Sequence, residues 1–85
     1  MRTFEYKIKD ESGIHARPAG LLAKLAGDFE SEITISHGEK SAEIKRLIAV
    51  MGMGIRCDDT VTVTVSGPDE QKAAEAVEKF FRENL

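Results

Sequence analysis

Tryptophan is absent from this 85-residue sequence, and cysteine occurs only once. With Cys57 alone, no disulfide can form within the chain, which is typical of proteins in a reducing compartment. The longest hydrophobic run, Leu47 to Met51, is far shorter than the roughly 20 residues of a membrane-spanning helix. The sequence therefore predicts neither a disulfide framework nor direct insertion into a membrane.

Basic charge is also scarce. The sequence has twelve Lys and Arg residues and fifteen Asp and Glu residues, which gives a net charge of −3. Because nucleic-acid binding needs a broad basic surface, we expect no nucleic-acid partner. His15, His37 and Cys57 do not form a metal-ligand spacing, so the sequence predicts no metal site and no cofactor.

The length and the N-terminal segment limit the organisation of the chain. Eighty-five residues of ordinary globular composition suit one small domain with one core. Met1 to Glu5 already alternates charged and apolar residues, unlike the apolar stretch of a signal peptide. We expect a single domain over residues 1–85, a monomer and a cytoplasmic location.

Hydrophobic periodicity predicts four strands and three helices. Alternation of apolar and polar residues predicts strands around Phe4 to Ile8, Ile33 to Ile35, Ala42 to Ile44 and Val61 to Val65. Helical spacing predicts one helix from about Ala16 to Gly27, one or two turns at Leu47 to Met51, and a last helix that begins near Asp69 and Glu70 and buries Ala73, Ala74, Val77, Phe80 and Phe81. His37 to Lys40 is predicted to form a hairpin turn.

The predicted element order is β-α-β-β-α-β-α. Right-handed crossovers make strands one and two point the same way, and likewise strands three and four. The tight hairpin makes strands two and three antiparallel. An antiparallel sheet then requires the fourth strand to lie between the first and the second. The predicted fold class is α+β: an open-faced β-sandwich with a four-stranded antiparallel sheet and three helices on one face.

The most informative stretch is Gly13-Ile14-His15-Ala16-Arg17-Pro18-Ala19. Pro18 suits the first turn of a helix, so His15 stands directly before that helix. The free backbone N–H groups and the positive dipole end of a helix N-terminus form an anion site. Arg17 adds a cation that is able to contact a dianion. Together these features predict that a ring nitrogen of His15 accepts a phosphoryl group.

Each of the three candidate side chains also has a structural interpretation. His15 without a role would be a capping or surface histidine, but the surrounding motif makes this the weaker interpretation. His37 lies in the predicted hairpin, where a turn role is favoured. Cys57 has no neighbouring base or resolving cysteine and is interpreted as a structural thiol.

These residues resemble the HPr family, the histidine-containing phosphocarriers of the bacterial phosphoenolpyruvate-dependent sugar phosphotransferase system. The resemblance runs over essentially the whole chain and includes the His15 motif, Ile33-Thr34-Ile35 and the segment from Lys45 to Gly54. It implies that His15 accepts phosphate on Nδ1 from phosphorylated enzyme I. His15 would then pass the phosphate to a histidine of a sugar-specific enzyme IIA. The resemblance therefore implies a carrier and not an enzyme that turns over.

The same resemblance implies roles for the residues next to His15. Arg17 would stabilise the phosphohistidine, and the backbone N–H groups of Ala16 and Arg17 would hold phosphate oxygens. Ser12 lies where the family often has a hydroxyl residue close to the site.

An apolar patch beside His15 is the predicted docking surface. Successive helical residues differ by about 100° in direction, so a helix as short as Leu47 to Met51 cannot turn every apolar residue inward. We expect exposed apolar side chains there and on the first helix to bind enzyme I and enzyme IIA, with basic residues that meet acidic partner surfaces. The apolar members are Leu21, Leu47, Ile48 and Met51, and the basic members are Arg17, Lys24 and Arg46.

Arg46 departs from the family pattern. In the Gram-positive branch the residue after Lys45 is a serine that a dedicated kinase phosphorylates, so this sequence predicts loss of that switch. Two functional interpretations stay open: a carrier for sugar uptake, or a regulatory HPr-like binding module of the nitrogen-related branch, in which phosphorylated His15 is a signal. An acidic interaction domain without phosphate chemistry is a third class, and His15 and Arg17 argue against it.

Overall fold

The structure is a computed structural model that describes residues 1–85. Its elements are β1 (Arg2–Lys7), α1 (Ala16–Ala26), β2 (Glu32–His37), β3 (Lys40–Glu43), α2 (Leu47–Met51), β4 (Thr60–Ser66) and α3 (Glu70–Asn84). The predicted α+β class and element order are confirmed. Among the helices, none combines the length and the apolar character needed to cross a bilayer.

The four strands form one sheet in the order β1-β4-β2-β3, and all three pairings are antiparallel. Val63 on β4 pairs with Phe4 on one side and with Ile35 on the other. The prediction that the fourth strand lies between the first and the second is therefore confirmed. The last strand of the chain therefore takes an inner position in the sheet, between the two strands that the first crossover connects.

The core lies between the sheet and the helices. Val61, Val63 and Val65 are fully buried, as are Val77 and Phe81 on α3. Phe81 is the centre of an aromatic cluster, because its ring meets those of two β1 side chains edge to face. The ring centroids of Phe4 and Tyr6 lie 5.9 and 5.5 Å from that of Phe81. These contacts hold α3 against the sheet beneath the first strand.

The hairpin between β2 and β3 has a tighter turn than the predicted four residues. His37 and Lys40 pair within the sheet, so the loop is only Gly38 and Glu39, with Gly38 at φ 61°. A positive φ is a requirement of tight hairpin turns that glycine meets without strain. His37 Nε2 lies 3.4 Å from Asp59 Oδ2, a contact that local sequence pattern did not predict.

Gly13 fixes the loop that enters α1. Its φ is 64°, and a Cβ at this position would collide with the carbonyl oxygen of Ile55. The Gly13 N–H donates to Asp10 O at 2.9 Å, and the Ile14 N–H donates to Ile55 O at 3.3 Å. The loop therefore lies directly on the segment before β4, and this contact sets where His15 stands.

The N-terminus of α3 is held by two carboxylates. Asp69 accepts hydrogen bonds from the Ser31 hydroxyl at 2.5 Å and from the N–H groups of Glu30 and Ser31, both at 3.0 Å. These bonds lower the pKa of Asp69, and the bond from the Ser31 hydroxyl contributes most. The pKa of Glu70 is also lowered, by its bond to the N-terminal amine and then by the Gly67 N–H. Both groups tie α3 to neighbouring segments.

Candidate functional site

His15 is the N-cap residue of α1. Its backbone is extended, with φ −106° and ψ −176°, and its carbonyl oxygen accepts the Ala19 N–H at 3.0 Å. The imidazole makes no capping bond, and 43 % of the side chain is exposed. The ring is therefore held at the start of a helix but stays open to an approaching group.

The first turn of α1 has donors without acceptors. The N–H groups of Ala16 and Arg17 take part in none of the hydrogen bonds within the chain, and Pro18 has no N–H. No acidic residue lies in this turn. Two free N–H groups and the positive dipole end therefore point outward beside His15, which is the arrangement that binds an anion.

A shallow cleft of about 70 Å³ surrounds the imidazole. It is lined by Asp10, His15, Arg17, Pro18, Leu21 and Asn84. Asp10 Oδ2 lies 4.0 Å from His15 Nε2, and the Asn84 side-chain N–H donates to the Phe80 carbonyl at 3.1 Å. The cleft thus combines one carboxylate, one guanidinium and the imidazole.

The sequence pattern did not indicate Asp10 or Asn84 as site residues. Asp10 comes from the polar loop before α1, and its position five residues before His15 was the one signal that could have found it. Asn84 comes from the last turn of α3, so only the packing of α3 brings it to the cleft. No local pattern could have identified Asn84.

Ser12 has a role in the loop itself. Its N–H donates to Asp10 Oδ1 at 2.8 Å, which closes a tight turn. The residue is exposed, its hydroxyl makes no hydrogen bond within the chain, and it does not line the cleft.

The predicted apolar patch lies on α1 and α2, which pack side by side. Leu21, Ile48 and Met51 are 45, 80 and 39 % exposed. Val50 is buried and attaches α2 to the core. Leu47 is half-buried and packs against the core as well. Ile48 and Met51 therefore face solvent, as expected for a helix of only five residues.

Three exposed cations accompany this patch. Arg17 and Lys24 belong to α1, and Arg46 is the N-cap residue of α2. None of the ion pairs of the chain involves any of the three. Arg46 makes no side-chain capping bond, although its carbonyl oxygen accepts the Val50 N–H at 3.0 Å. Their positive charge is therefore available to another molecule.

The other two chemically notable side chains lie outside the cleft. His37 belongs to the hairpin and faces Asp59. The Cys57 thiol is half-buried and lies 3.7 Å from the Lys9 carbonyl oxygen. No group of three or more His, Cys, Asp or Glu side chains is arranged to hold a metal ion.

Known proteins are similar to this chain over nearly its whole length. The family described as PTS HPr component phosphorylation site matches residues 2–83. The chain is 39 % identical over 85 residues to the phosphocarrier protein HPr of Mycoplasma genitalium. The aligned region covers 99 % of this chain and 97 % of that protein.

Solved structures show the same likeness. A mycoplasma histidine-containing phosphocarrier protein superposes with a TM-score of 0.93 and 36 % identity, over 96 % of this chain and 93 % of that one. HPr from Thermoanaerobacter tengcongensis superposes with a TM-score of 0.92 and 29 % identity, over 98 and 93 % of the two chains. An HPr from the same organism has also been solved as a dimer. By sequence and by fold, the chain belongs to the HPr family of the phosphotransferase system, which includes histidine-containing phosphocarrier proteins.

Proposed function

We propose that this chain carries a phosphoryl group on His15 between phosphorylated enzyme I and a histidine of a sugar-specific enzyme IIA. One observation carries the proposal: the exposed His15 imidazole stands at a helix N-terminus with two unused N–H groups. Membership of the phosphocarrier family supports it. The regulatory alternative, in which phosphorylated His15 is only a signal, has no observation in its favour.

The chemistry follows from the groups around the ring. A ring nitrogen of His15 attacks phosphorus, an N–P bond forms, and the bond between phosphorus and the donor breaks. The phosphoryl dianion is then held by the N–H groups of Ala16 and Arg17 and by the Arg17 guanidinium. Ser12, with its unbonded hydroxyl, is the further residue that we propose to contact phosphate. The same groups stabilise the dianion while it leaves for the acceptor.

Docking uses the surface next to the ring. The proposed contact area consists of the apolar side chains Leu21, Leu47, Ile48 and Met51 and the cations Arg17, Lys24 and Arg46. The chain as a whole is acidic, so this local concentration of free cations selects acidic partner surfaces and orients their approach. Both partners would use the same area in turn, because both must reach His15. We propose that the chain does this as a monomer of one domain.

Arg46 adds a permanent charge where relatives of the Gram-positive branch carry a regulated serine. Arginine has no hydroxyl group, so it cannot accept phosphate from a serine kinase. We propose that this chain has no serine switch at that position and that Arg46 contributes to docking instead.

The test is phosphorylation with enzyme I and phosphoenolpyruvate, followed by intact mass spectrometry. The wild-type chain should gain one acid-labile, base-stable phosphoryl group, and His15→Ala should gain none. The matched control is His37→Ala, which should be labelled like the wild type. Full labelling of His15→Ala would refute the proposal. Addition of a sugar-specific enzyme IIA should then remove the label, and a label that stays would refute the sugar branch.

A further inference from the structure

Asp10 is fixed in place by three hydrogen bonds. Its N–H donates to Leu85 O at 2.8 Å, and its carbonyl oxygen accepts the Gly13 N–H at 2.9 Å. Its side-chain Oδ1 accepts the Ser12 N–H at 2.8 Å. One carboxylate oxygen is thus committed to the loop, and the orientation of the second oxygen, Oδ2, follows from it.

That second oxygen faces the imidazole. Oδ2 lies 4.0 Å from His15 Nε2, which is beyond hydrogen-bond length but within the range of a charge acting on an N–H dipole. Asp10 is the one carboxylate among the residues that line the cleft, and the Asn84 side-chain N–H is bonded to Phe80 O. His15 Nδ1 has no hydrogen-bond partner within the chain.

We infer that Asp10 is a positioning residue that keeps the proton of the neutral imidazole on Nε2, so that the lone pair on Nδ1 faces the phosphoryl donor. The inference rests on the proposed function, because it concerns the same ring. The physical basis is general: the group that faces one nitrogen of an imidazole decides which nitrogen carries the proton. A carboxylate favours an N–H on the side that it faces.

The step balances without a proton transfer. The Nδ1 lone pair forms the new N–P bond, and the bond from phosphorus to the donor atom breaks with its electron pair left on the donor. The Nε2 proton stays in place, so the His15 ring gains one positive charge. Asp10 then faces this charge across the cleft. The return step reverses each change, and Asp10 accepts no proton in either direction.

Asp10→Asn is the informative variant. Its side-chain oxygen can still accept the Ser12 N–H, which preserves the turn and places the amide NH₂ where Oδ2 was. An amide N–H donates, so it favours a lone pair on Nε2 and a proton on Nδ1, which reverses the tautomer preference. The ¹⁵N chemical shifts of the two ring nitrogens, measured on the whole chain where the imidazole is neutral, report this directly. A merely structural role for Asp10 would not change them in this direction.

Transfer kinetics give the second measurement. The pair is half-exposed, and exposed pairs are weak, so we expect Asp10→Asn to slow phosphorylation by enzyme I roughly two- to fivefold. The matched control is Glu11→Gln, which removes a neighbouring exposed carboxylate that makes no contact with His15. Both the tautomer ratio and the rate of this control should equal those of the wild type. If Asp10→Asn does not fold, Asp10→Ser removes the charge and keeps an oxygen for the turn.

The outcomes separate the two proposals. A shift of the ring proton towards Nδ1 in Asp10→Asn, absent in Glu11→Gln, supports the positioning role. An unchanged tautomer ratio in the folded variant overturns it, whatever the rate. A wild-type chain that takes no phosphate would refute the proposed function, while the tautomer measurement would still decide whether Asp10 orders the ring.

Discussion

The N-termini of α1 and α3 have the same dipole but opposite surroundings. The first turn of α1 has no acid, and two of its N–H groups have no partner. The start of α3 carries Asp69 and Glu70, and both carboxylates are occupied with neighbouring segments. The positive dipole end of α3 therefore already has negative charge beside it, from Asp69 and Glu70, and these carboxylates also anchor the helix. The first turn of α1 contains no acid, and the one carboxylate of the adjacent cleft, Asp10, comes from the preceding loop and faces the His15 imidazole.

The comparison predicts where an external anion binds. A helix N-terminus already next to internal carboxylates repels a phosphoryl dianion, whereas the start of α1 attracts one. The difference lies in local sequence, since His-Ala-Arg-Pro has no acid and Asp-Glu has two. The two ends should therefore respond differently to changes of charge.

The largest effect of a single side chain other than His15 should come from Arg17→Ala. Loss of a charged hydrogen bond to the dianion costs about 1.5–3 kcal/mol, which slows phosphorylation by about 10- to 100-fold. Arg17 is exposed and unpaired, so the free energy of unfolding should change by no more than about 0.5 kcal/mol. Quenched-flow transfer and urea unfolding measure the two quantities. A variant that transfers normally would exclude Arg17 from the site.

A carboxylate placed in the first turn of α1 would make that end resemble α3. Ala16→Glu should stabilise the helix by about 0.3–1 kcal/mol through the dipole. It should also slow phosphorylation by about fivefold to tenfold, because a charge a few ångströms from the dianion costs at least about 1 kcal/mol. Ala16→Gln has the same shape without the charge and is the matched control. Equal rates for the two variants would contradict an electrostatic role of this helix end.

The start of α2 offers a smaller test. Arg46 caps nothing with its side chain, so Arg46→Ser should stabilise the fold by about 0.5–2 kcal/mol if the serine forms a normal N-cap. Phosphorylation of His15 should continue, with weaker binding to enzyme I through loss of the cation. Serine phosphorylation by an HPr kinase becomes possible in the variant only. Urea unfolding and binding titration, with Arg46→Ala as the control for lost charge, check these outcomes; unchanged affinity would remove the docking role.

The anchor at α3 should appear as a pH dependence of stability. The pKa values of Asp69 and Glu70 are lowered from their ordinary 3.8 and 4.5. The folded state therefore binds fewer protons at these two carboxylates than the unfolded state does. Their stabilisation is complete above those ordinary values and is lost as pH falls through the lowered folded values. Asp69→Asn should therefore flatten acid unfolding below about pH 4. An unchanged acid profile in the variant would show that Asp69 does not anchor α3.

Short-range pattern was sufficient for most of the fold. Alternation of valines with threonines predicted β4, and chain order with right-handed crossovers placed it between β1 and β2. The third strand ends at Glu43, so Ile44, predicted within it, is a buried residue just beyond the strand. Periodicity locates faces well and strand ends less well, because an end depends on the backbone of the partner strand.

The neighbourhood of His15 was predictable only in part. Ala16 and Arg17 follow His15 in sequence, so helix geometry alone places them. Asp10 and Asn84 reach the cleft through the turn at Gly13 and the packing of α3, which have no local pattern. Long-range contacts of this kind decide the orientation of the His15 ring, and only the three-dimensional structure reveals them.

Backbone amide shifts during phosphorylation show directly which helix N-terminus holds the phosphoryl group. Spectra of the ¹⁵N-labelled chain, recorded before and after treatment with enzyme I and phosphoenolpyruvate, compare the N–H groups of Ala16 and Arg17 with that of Gln71 in α3. We expect large downfield proton shifts for Ala16 and Arg17, because both N–H groups gain an anionic acceptor, and no comparable shift for Gln71. A phosphorylated chain in which Ala16 and Arg17 do not move, or in which Gln71 moves as far, would contradict the claim that the open end of α1 holds the phosphoryl group.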